Sequence, residues 1–269
     1  MRNYRGVIMK IVRYRKDGEV FYGKLEDEEI FPIEGDVFGD FKLKLQPIKR
    51  EGVKLLAPIN PPNIIAIGLN YRKHAEESGL GFPEKPVIFL KATSSVIGPE
   101  DKIIIPPIAP DEVDYEAELT IVIGKKAKNV EIEEAEDYIF GYTCSNDVSA
   151  RDCQLRLDQQ WARGKSFDTF CPLGPWVETE LIEPNHCRIM SRLNGKIMQD
   201  SNTSDLIFGT KELLSYCSKN FTLYPGTVIM TGTPKGVGFA RNPAVFLKPG
   251  DMIEIEIEGI GKLINKVGN

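Results

Sequence analysis

The sequence predicts a mainly β protein with short helices, an α+β chain in which strands dominate. Two observations carry this. Short β-branched and aromatic runs bounded by Gly, Pro, Asn or Asp recur along all 269 residues. Helical periodicities are few and brief, and no regular strand–helix alternation of the doubly wound type appears. With 42% hydrophobic residues, 9% of the chain being aromatic, a substantial core can form, which excludes disorder as the general state.

Taken in order, Val7–Arg13, Glu19–Lys24 and Glu29–Pro32 read as strands separated by Lys16-Asp17-Gly18 and Glu26-Asp27-Glu28, a small β-rich unit. Pro58, Pro61 and Pro62 stiffen the chain and disfavour helix, which sets a boundary near Leu55–Asn60 and two expected domains, residues 1–57 and 58–269. In the second, strands are expected at Ile64–Leu69, Val87–Leu90, Lys102–Ile105, Val113–Ile123, Tyr138–Asn146 and Cys187–Leu193. Three more follow at Thr227–Thr231, Met252–Glu258 and Lys262–Val267. Asn194-Gly195 is a hairpin turn, because both residues tolerate the positive φ of a two-residue loop. Helices are expected at Tyr71–Ser78, Glu131–Tyr138, Ser149–Gln159 and Lys211–Lys219. Strand-rich content with short helical inserts suggests a curled or rolled β architecture.

Composition removes several functions. Thirty-four basic against 39 acidic residues leave a net charge of −5, without the basic excess of a nucleic-acid surface or the polybasic patch of an anionic-lipid binder. No apolar run approaches the ~20 residues of a membrane span. Cys144, Cys153, Cys171, Cys187 and Cys217 form no CxxC pair, and the charged N-terminus has no signal-peptide core. Both point to the reducing cytoplasm, with the cysteines acting as small buried hydrophobes.

The chemistry concentrates in a few segments. In Asp114-Tyr115-Glu116-Ala117-Glu118-Leu119 the three acids project to one side of a strand, with successive ones roughly 6.6 Å apart. At an effective dielectric near 20 such a pair repels by about 2.5 kcal/mol, relieved by exposure to water, by protonation or by a cation. Asp147, at the end of the next strand, either caps the helix after it or completes an all-oxygen cluster of the kind that suits Mg²⁺, Mn²⁺ or Ca²⁺. His74, one of two histidines, has Glu77 on the same helical face; the pair is a solvated ion pair or a general base with its orienting carboxylate. His186 follows Pro184-Asn185 in a loop and reads as surface. Gly164-Lys165-Ser166 imitates a phosphate loop, but Gln159 stands where that pattern needs glycine, so Lys165 is instead a candidate for neutralising an anion in a pocket. Thr231-Gly232-Thr233-Pro234-Lys235-Gly236-Val237-Gly238 is either a structural turn or a backbone cradle for a carboxylate.

The ordered set GLNYRKHAEE, DYEAEL, SNDVSARDCQ, GKSFDTFCPLGPW, NGKIMQDSNTSDLIF and TGTPKGVG closely resembles the fumarylacetoacetate hydrolase family from about Pro58 to the C-terminus. The resemblance implies a β-roll of mixed sheets preceded by a small, variable N-terminal domain, usually in a homodimer. It implies Glu116, Glu118 and Asp147 as ligands of Mg²⁺ or Mn²⁺ and leaves Asp114 outside the ligand set. His74 and Glu77 match a dyad on a mobile lid helix, and Lys165 matches an active-site lysine. Arg151 and Gln154 match substrate contacts, and Thr233 matches a threonine of the glycine-rich loop. The implied activity is metal-dependent hydrolysis of a C–C bond in a small 2,4-diketo acid, with His74 drawing a proton from water. Oxaloacetate decarboxylation or tautomerisation, and isomerisation of a 5-carboxymethyl-2-hydroxymuconate-type acid, are the alternatives on the same site. A non-catalytic binder of a metal–ketoacid chelate is the reading from another class.

Overall fold

The computed structural model describes residues 9–79 and 81–269; Val7 and Ile8, the start of the first expected strand, lie outside the described residues. Twenty described strands form three sheets. The largest runs in the order Phe41–Leu43, Glu29–Gly35, Glu19–Glu26, Lys10–Lys16, Cys171–Glu178, Ile139–Asn146, Ala117–Ile123, Val228–Met230, Ile64–Gly68 and Val87–Lys91, with three short strands joined at its flanks. Main-chain pairing of Lys10 with Glu178 and of Ile11 with Val177 carries this sheet from the N-terminal strands into the rest of the chain. A second sheet orders Lys102–Ile104, Gly261–Gly268, Met252–Ile257, Arg188–Leu193 and Lys196–Asn202, and a two-stranded ribbon joins Val113–Asp114 to Ser149–Ala150. Most pairs are antiparallel, but Val228–Met230 lies parallel to Ile64–Gly68 and Lys102–Ile104 parallel to Gly261–Gly268, so the sheets are mixed and the fold is mainly β.

The Ala117–Ile123 strand shows how the core positions the site. All seven residues are buried. Alternation sends Ala117, Leu119, Ile121 and Ile123 into the larger core, where they pack with Ile189, Ile253, Ile255 and Leu263 of the second sheet. Val122 turns to the other face, into a second core with Ile64, Ala66 and Met230. Glu118 and Thr120 share that second face, so the carboxylate is carried into the interior by the strand's own register.

Several sequence-based expectations need correcting. Val113–Ile123 is not one strand; pairing breaks at Tyr115-Glu116, where the chain leaves the ribbon and enters the large sheet. Ser149–Gln159 is not an α-helix: Ser149–Ala150 is extended, and Cys153–Leu157 forms a π-helical turn, a local widening often found at functional sites. Ile132–Tyr138 is 3₁₀ rather than α-helical. Cys171–Glu178 is a strand beyond those expected; Pro172, Gly174 and Pro175 are unusual in a central strand, and a register shift against Ile139–Asn146 between Tyr142 and Cys144 accommodates them. The α-helices Arg72–Ser78 and Thr210–Asn220 fall where expected. All five cysteines are free and buried, and no helix among the described residues is long and apolar enough to cross a membrane.

The Asn194-Gly195 hairpin stands as expected, with φ of 52° and 80°. A Cβ added at Gly195 meets no atom within 4 Å, so only backbone strain opposes substitution. Gly195→Ala is therefore expected to destabilise the fold by about 1 kcal/mol, read as a lower denaturant midpoint at unchanged slope.

Candidate metal and proton-transfer site

The floor is assembled where the broken strand meets the end of Ile139–Asn146. Ala117 pairs with Asn146 and Glu118 with Ser145. The Glu116 N–H donates to Asn146 Oδ1 (2.9 Å), and the Asp147 N–H donates to the Glu116 carbonyl (2.9 Å). These bonds staple the two segments together. Glu116, Glu118 and Asp147, all buried, each offer a carboxylate oxygen within 4.8 Å of the others. Asp114 turns elsewhere. Its carboxylate accepts from the Gly238 (2.8 Å) and Phe239 (2.9 Å) N–H groups and from Arg151 Nε (3.0 Å).

Three buried cations surround the cluster. Lys165 Nζ contacts Glu116 at 2.9 Å and Asp147 at 2.7 Å, Lys91 Nζ contacts Asp147 at 2.5 Å, and Arg151 contacts Glu116 at 2.7 Å and Asp114 at 2.9 Å. Four carboxylates thus face three cations, which leaves one negative charge uncompensated. Glu118 is the carboxyl left without a counter-charge: it accepts from the Gly232 N–H at 2.8 Å and has no ion pair among the described residues. Burial, and then repulsion from Asp147 and Glu116, push its carboxyl well above the ordinary range. Burial also acts to raise Glu116, but Lys165 and Arg151 outweigh it and bring that carboxyl down to about 2. Lys165 is held above its usual value because Asp147 and Glu116 overcome its desolvation.

A cavity of about 250 Å³ opens onto this floor, lined by Glu116, Glu118, Arg151, Gln154, Lys165 and Thr233 and roofed in part by His74. His74 lies on the buried side of Arg72–Ser78, with Nδ1 3.4 Å from Glu77 Oε2. Since a carboxylate only accepts, this contact assigns the proton to Nδ1 and leaves Nε2 as the basic nitrogen. Glu77 also accepts from the Gly236 N–H at 3.1 Å. Despite partial burial, these two partners hold its carboxyl below the ordinary value. The glycine-rich loop does cradle carboxylates, but they are the chain's own: Gly232 serves Glu118, Gly236 serves Glu77 and Gly238 serves Asp114. Arg151 donates to Gln154 Oε1 at 2.8 Å across the π turn. His186 is exposed, as expected.

Sequence reasoning missed Lys91 and Gln199. Lys91 has a legible signal: Val87, Phe89 and Lys91 alternate along one strand face, but the expected strand stopped at Leu90, before the lysine. Gln199 has none; it accepts from the Ala117 N–H (3.0 Å) and donates to Thr233 Oγ1 (2.8 Å), joining segments distant in sequence. The altered place of Asp114 has a measurable consequence. Asp114→Asn leaves Arg151 short of a buried counter-charge and is expected to cost about 3 kcal/mol in denaturant unfolding. Divalent-ion affinity by calorimetry should change by less than ~3-fold, about 0.7 kcal/mol, because this carboxylate is outside the cluster.

Comparison with known proteins follows the same lines. The profile described as fumarylacetoacetate (FAA) hydrolase C-terminal matches residues 63–268, and that described as Rv2993c-like, N-terminal, matches residues 9–58. The mitochondrial oxaloacetate tautomerase Fahd2a of Rattus norvegicus is 47% identical over 227 residues, 83% of this chain and 72% of that protein. Among solved structures, 5-carboxymethyl-2-hydroxymuconate delta-isomerase from Mycobacterium smegmatis superposes with a TM-score of 0.88 at 40% identity, covering 97% of this chain and 99% of that one. Fumarylacetoacetate hydrolase from Exiguobacterium antarcticum gives 0.87 at 36% identity, with 97% and 99% covered. The matched region holds the acidic floor, the His74 helix and the glycine-rich loop together, and the chain belongs to the fumarylacetoacetate hydrolase family.

Proposed function

We propose that this protein catalyses proton transfer at the carbon next to the keto group of a small 2-oxo acid, as a divalent-metal-dependent tautomerase or isomerase. The observation that carries this is the buried Glu116–Glu118–Asp147 cluster, of which Glu116 and Glu118 line one cavity together with His74. The donor set fits a hard cation: three carboxylates and no sulfur or imidazole favour Mg²⁺ or Mn²⁺, and a cation would relieve the burial and repulsion that disfavour an ionised Glu118. Glu116, Glu118 and Asp147 would hold the ion, which supplies Lewis acidity toward the oxygens of the oxo acid.

The chain's own groups do the rest. His74, its Nδ1–H held by Glu77, takes a proton at Nε2 and returns it to a different atom of the substrate. Lys165, kept protonated by its two carboxylate partners, places positive charge where the substrate oxygen becomes negative. The helix Arg72–Ser78 partly covers the cavity and limits the access of water. The names of the similar tautomerase and isomerase, both proton-transfer enzymes, favour this outcome. Hydrolysis of a 2,4-diketo acid is the second reading, supported by the similarity to a fumarylacetoacetate hydrolase and by a base able to deprotonate water.

A product-resolved assay with Mg²⁺ or Mn²⁺ decides between them: enol–keto interconversion of oxaloacetate or double-bond migration in a hydroxymuconate-type acid supports the first reading. Release of pyruvate from an acylpyruvate supports the second. Glu116→Gln and Asp147→Asn are expected to abolish both divalent binding and turnover. His74→Ala should keep divalent affinity while turnover falls about 10²–10⁴-fold. Unchanged ion affinity in the carboxylate variants would remove the cluster from the mechanism.

A further inference from the structure

The cavity has a charged floor and an apolar wall, and its cations are already engaged. Arg151 is held by Asp114 and Glu116, and Lys165 by Glu116 and Asp147. Each cation also has an aromatic ring of the lining against it. Lys165 Nζ lies 5.4 Å from the centroid of Phe89, and the Arg151 guanidinium carbon lies 4.4 Å from that of Phe239. Trp161 meets Phe89 edge to face, with centroids 5.6 Å apart and an interplanar angle of 74°. Leu69 and Leu155 complete this wall. Beyond Arg151, Lys165 and His74, the described lining residues include no basic side chain.

Two backbone features hold the wall in place. A Cβ on Gly68 would stand 2.5 Å from Trp161 Cζ3, so the indole occupies the space that any larger residue would need. Leu69, the next residue, has φ of 55°, a left-handed conformation that costs an L-residue with a branched side chain. Strain of this kind persists where the surroundings over-determine it, and here it sits on a residue that lines the cavity.

We infer that the cavity selects 2-oxo acids whose chain beyond the oxo-acid head is uncharged and apolar, with Trp161 as a specificity-determining residue seated on Gly68. This rests on the reading of the floor as the binding place of the oxo-acid head. In a four-carbon diacid the second carboxylate stays within two bonds of the oxo carbon, beside the head. A hydroxymuconate-type acid carries its further carboxylates out along the chain, so the inference favours the oxaloacetate outcome of the proposed function over the hydroxymuconate one. In a longer diacid the second carboxylate is laid against rings and leucines and loses hydration without gaining a partner. An alkyl chain of the same length gains burial instead.

The test is calorimetric binding of pyruvate, 2-oxohexanoate and 2-oxoadipate to the full-length, Mn²⁺-loaded protein. 2-Oxohexanoate is expected to bind at least ~10-fold tighter than pyruvate, and 2-oxoadipate no tighter than pyruvate. Trp161→Ala should reduce the hexanoate-to-pyruvate ratio to below ~3-fold. Gly68→Ala, which displaces the ring without deleting it, should reduce the ratio as well; should that variant fail to fold, Trp161→Ala decides alone. Binding of 2-oxoadipate as tight as that of 2-oxohexanoate, or a full ratio retained in Trp161→Ala, overturns the inference while leaving the oxo-acid head in place. Absence of Mn²⁺-dependent binding for all three acids overturns the inference together with the reading of the floor.

Discussion

Confinement of like charge governs this molecule. Glu116, Glu118 and Asp147 are forced together by strand register, by one main-chain bond and by one bond to the Asn146 side chain, in a place too dry to screen them. Lys91, Lys165 and Arg151 compensate most of that charge but leave Glu118 without a cation. A buried carboxylate in this position must be protonated or find a positive partner. The arrangement therefore concentrates electrostatic demand at one point, which a positive ion would answer.

The neighbouring elements follow from this constraint. The loop at Gly232, Gly236 and Gly238 directs N–H groups to carboxylates of the floor, the His74 helix and the Arg151 anchor, so one backbone segment ties three functional parts together. Asn70 reinforces the same junction from the other side. Its amide donates to the Phe208 and Thr231 carbonyls, and its oxygen accepts from the Phe208 N–H. The chain entering the His74 helix is therefore fixed to the start of the loop. His74 is buried there, and Glu77 orients its ring through Nδ1.

Much of this was open to sequence reasoning because it depends on local pattern. The β-branched runs from Ala117 to Ile123 and from Met252 to Ile257 have strand chemistry at every position, and both are strands. His74 and Glu77 share a face because three residues nearly complete a helical turn, and they meet. The same local rule misled at Asp114, where alternation predicts one side for three acids. The strand breaks after it, and a competing set of partners, Arg151 and two loop N–H groups, draws its side chain away. It misled in part at Ser149–Gln159, where the first two residues are drawn into extended pairing with Val113–Asp114 and the helical remainder winds as a π turn from Cys153 to Leu157.

The amino-acid order by itself determined the strand-rich class, the acidic net charge, and the motifs that carry the acids, the histidine and the lysine. Those properties reside in spacing and side-chain type, which act over a few residues. Tertiary structure alone decided which acids come together, that Lys91 reaches Asp147 and Gln199 joins Ala117 to Thr233, and that Trp161 leans on Gly68 to form the cavity wall. Each of these depends on contact between segments far apart in the chain, and such contacts are set by sheet register and packing, which no local pattern encodes.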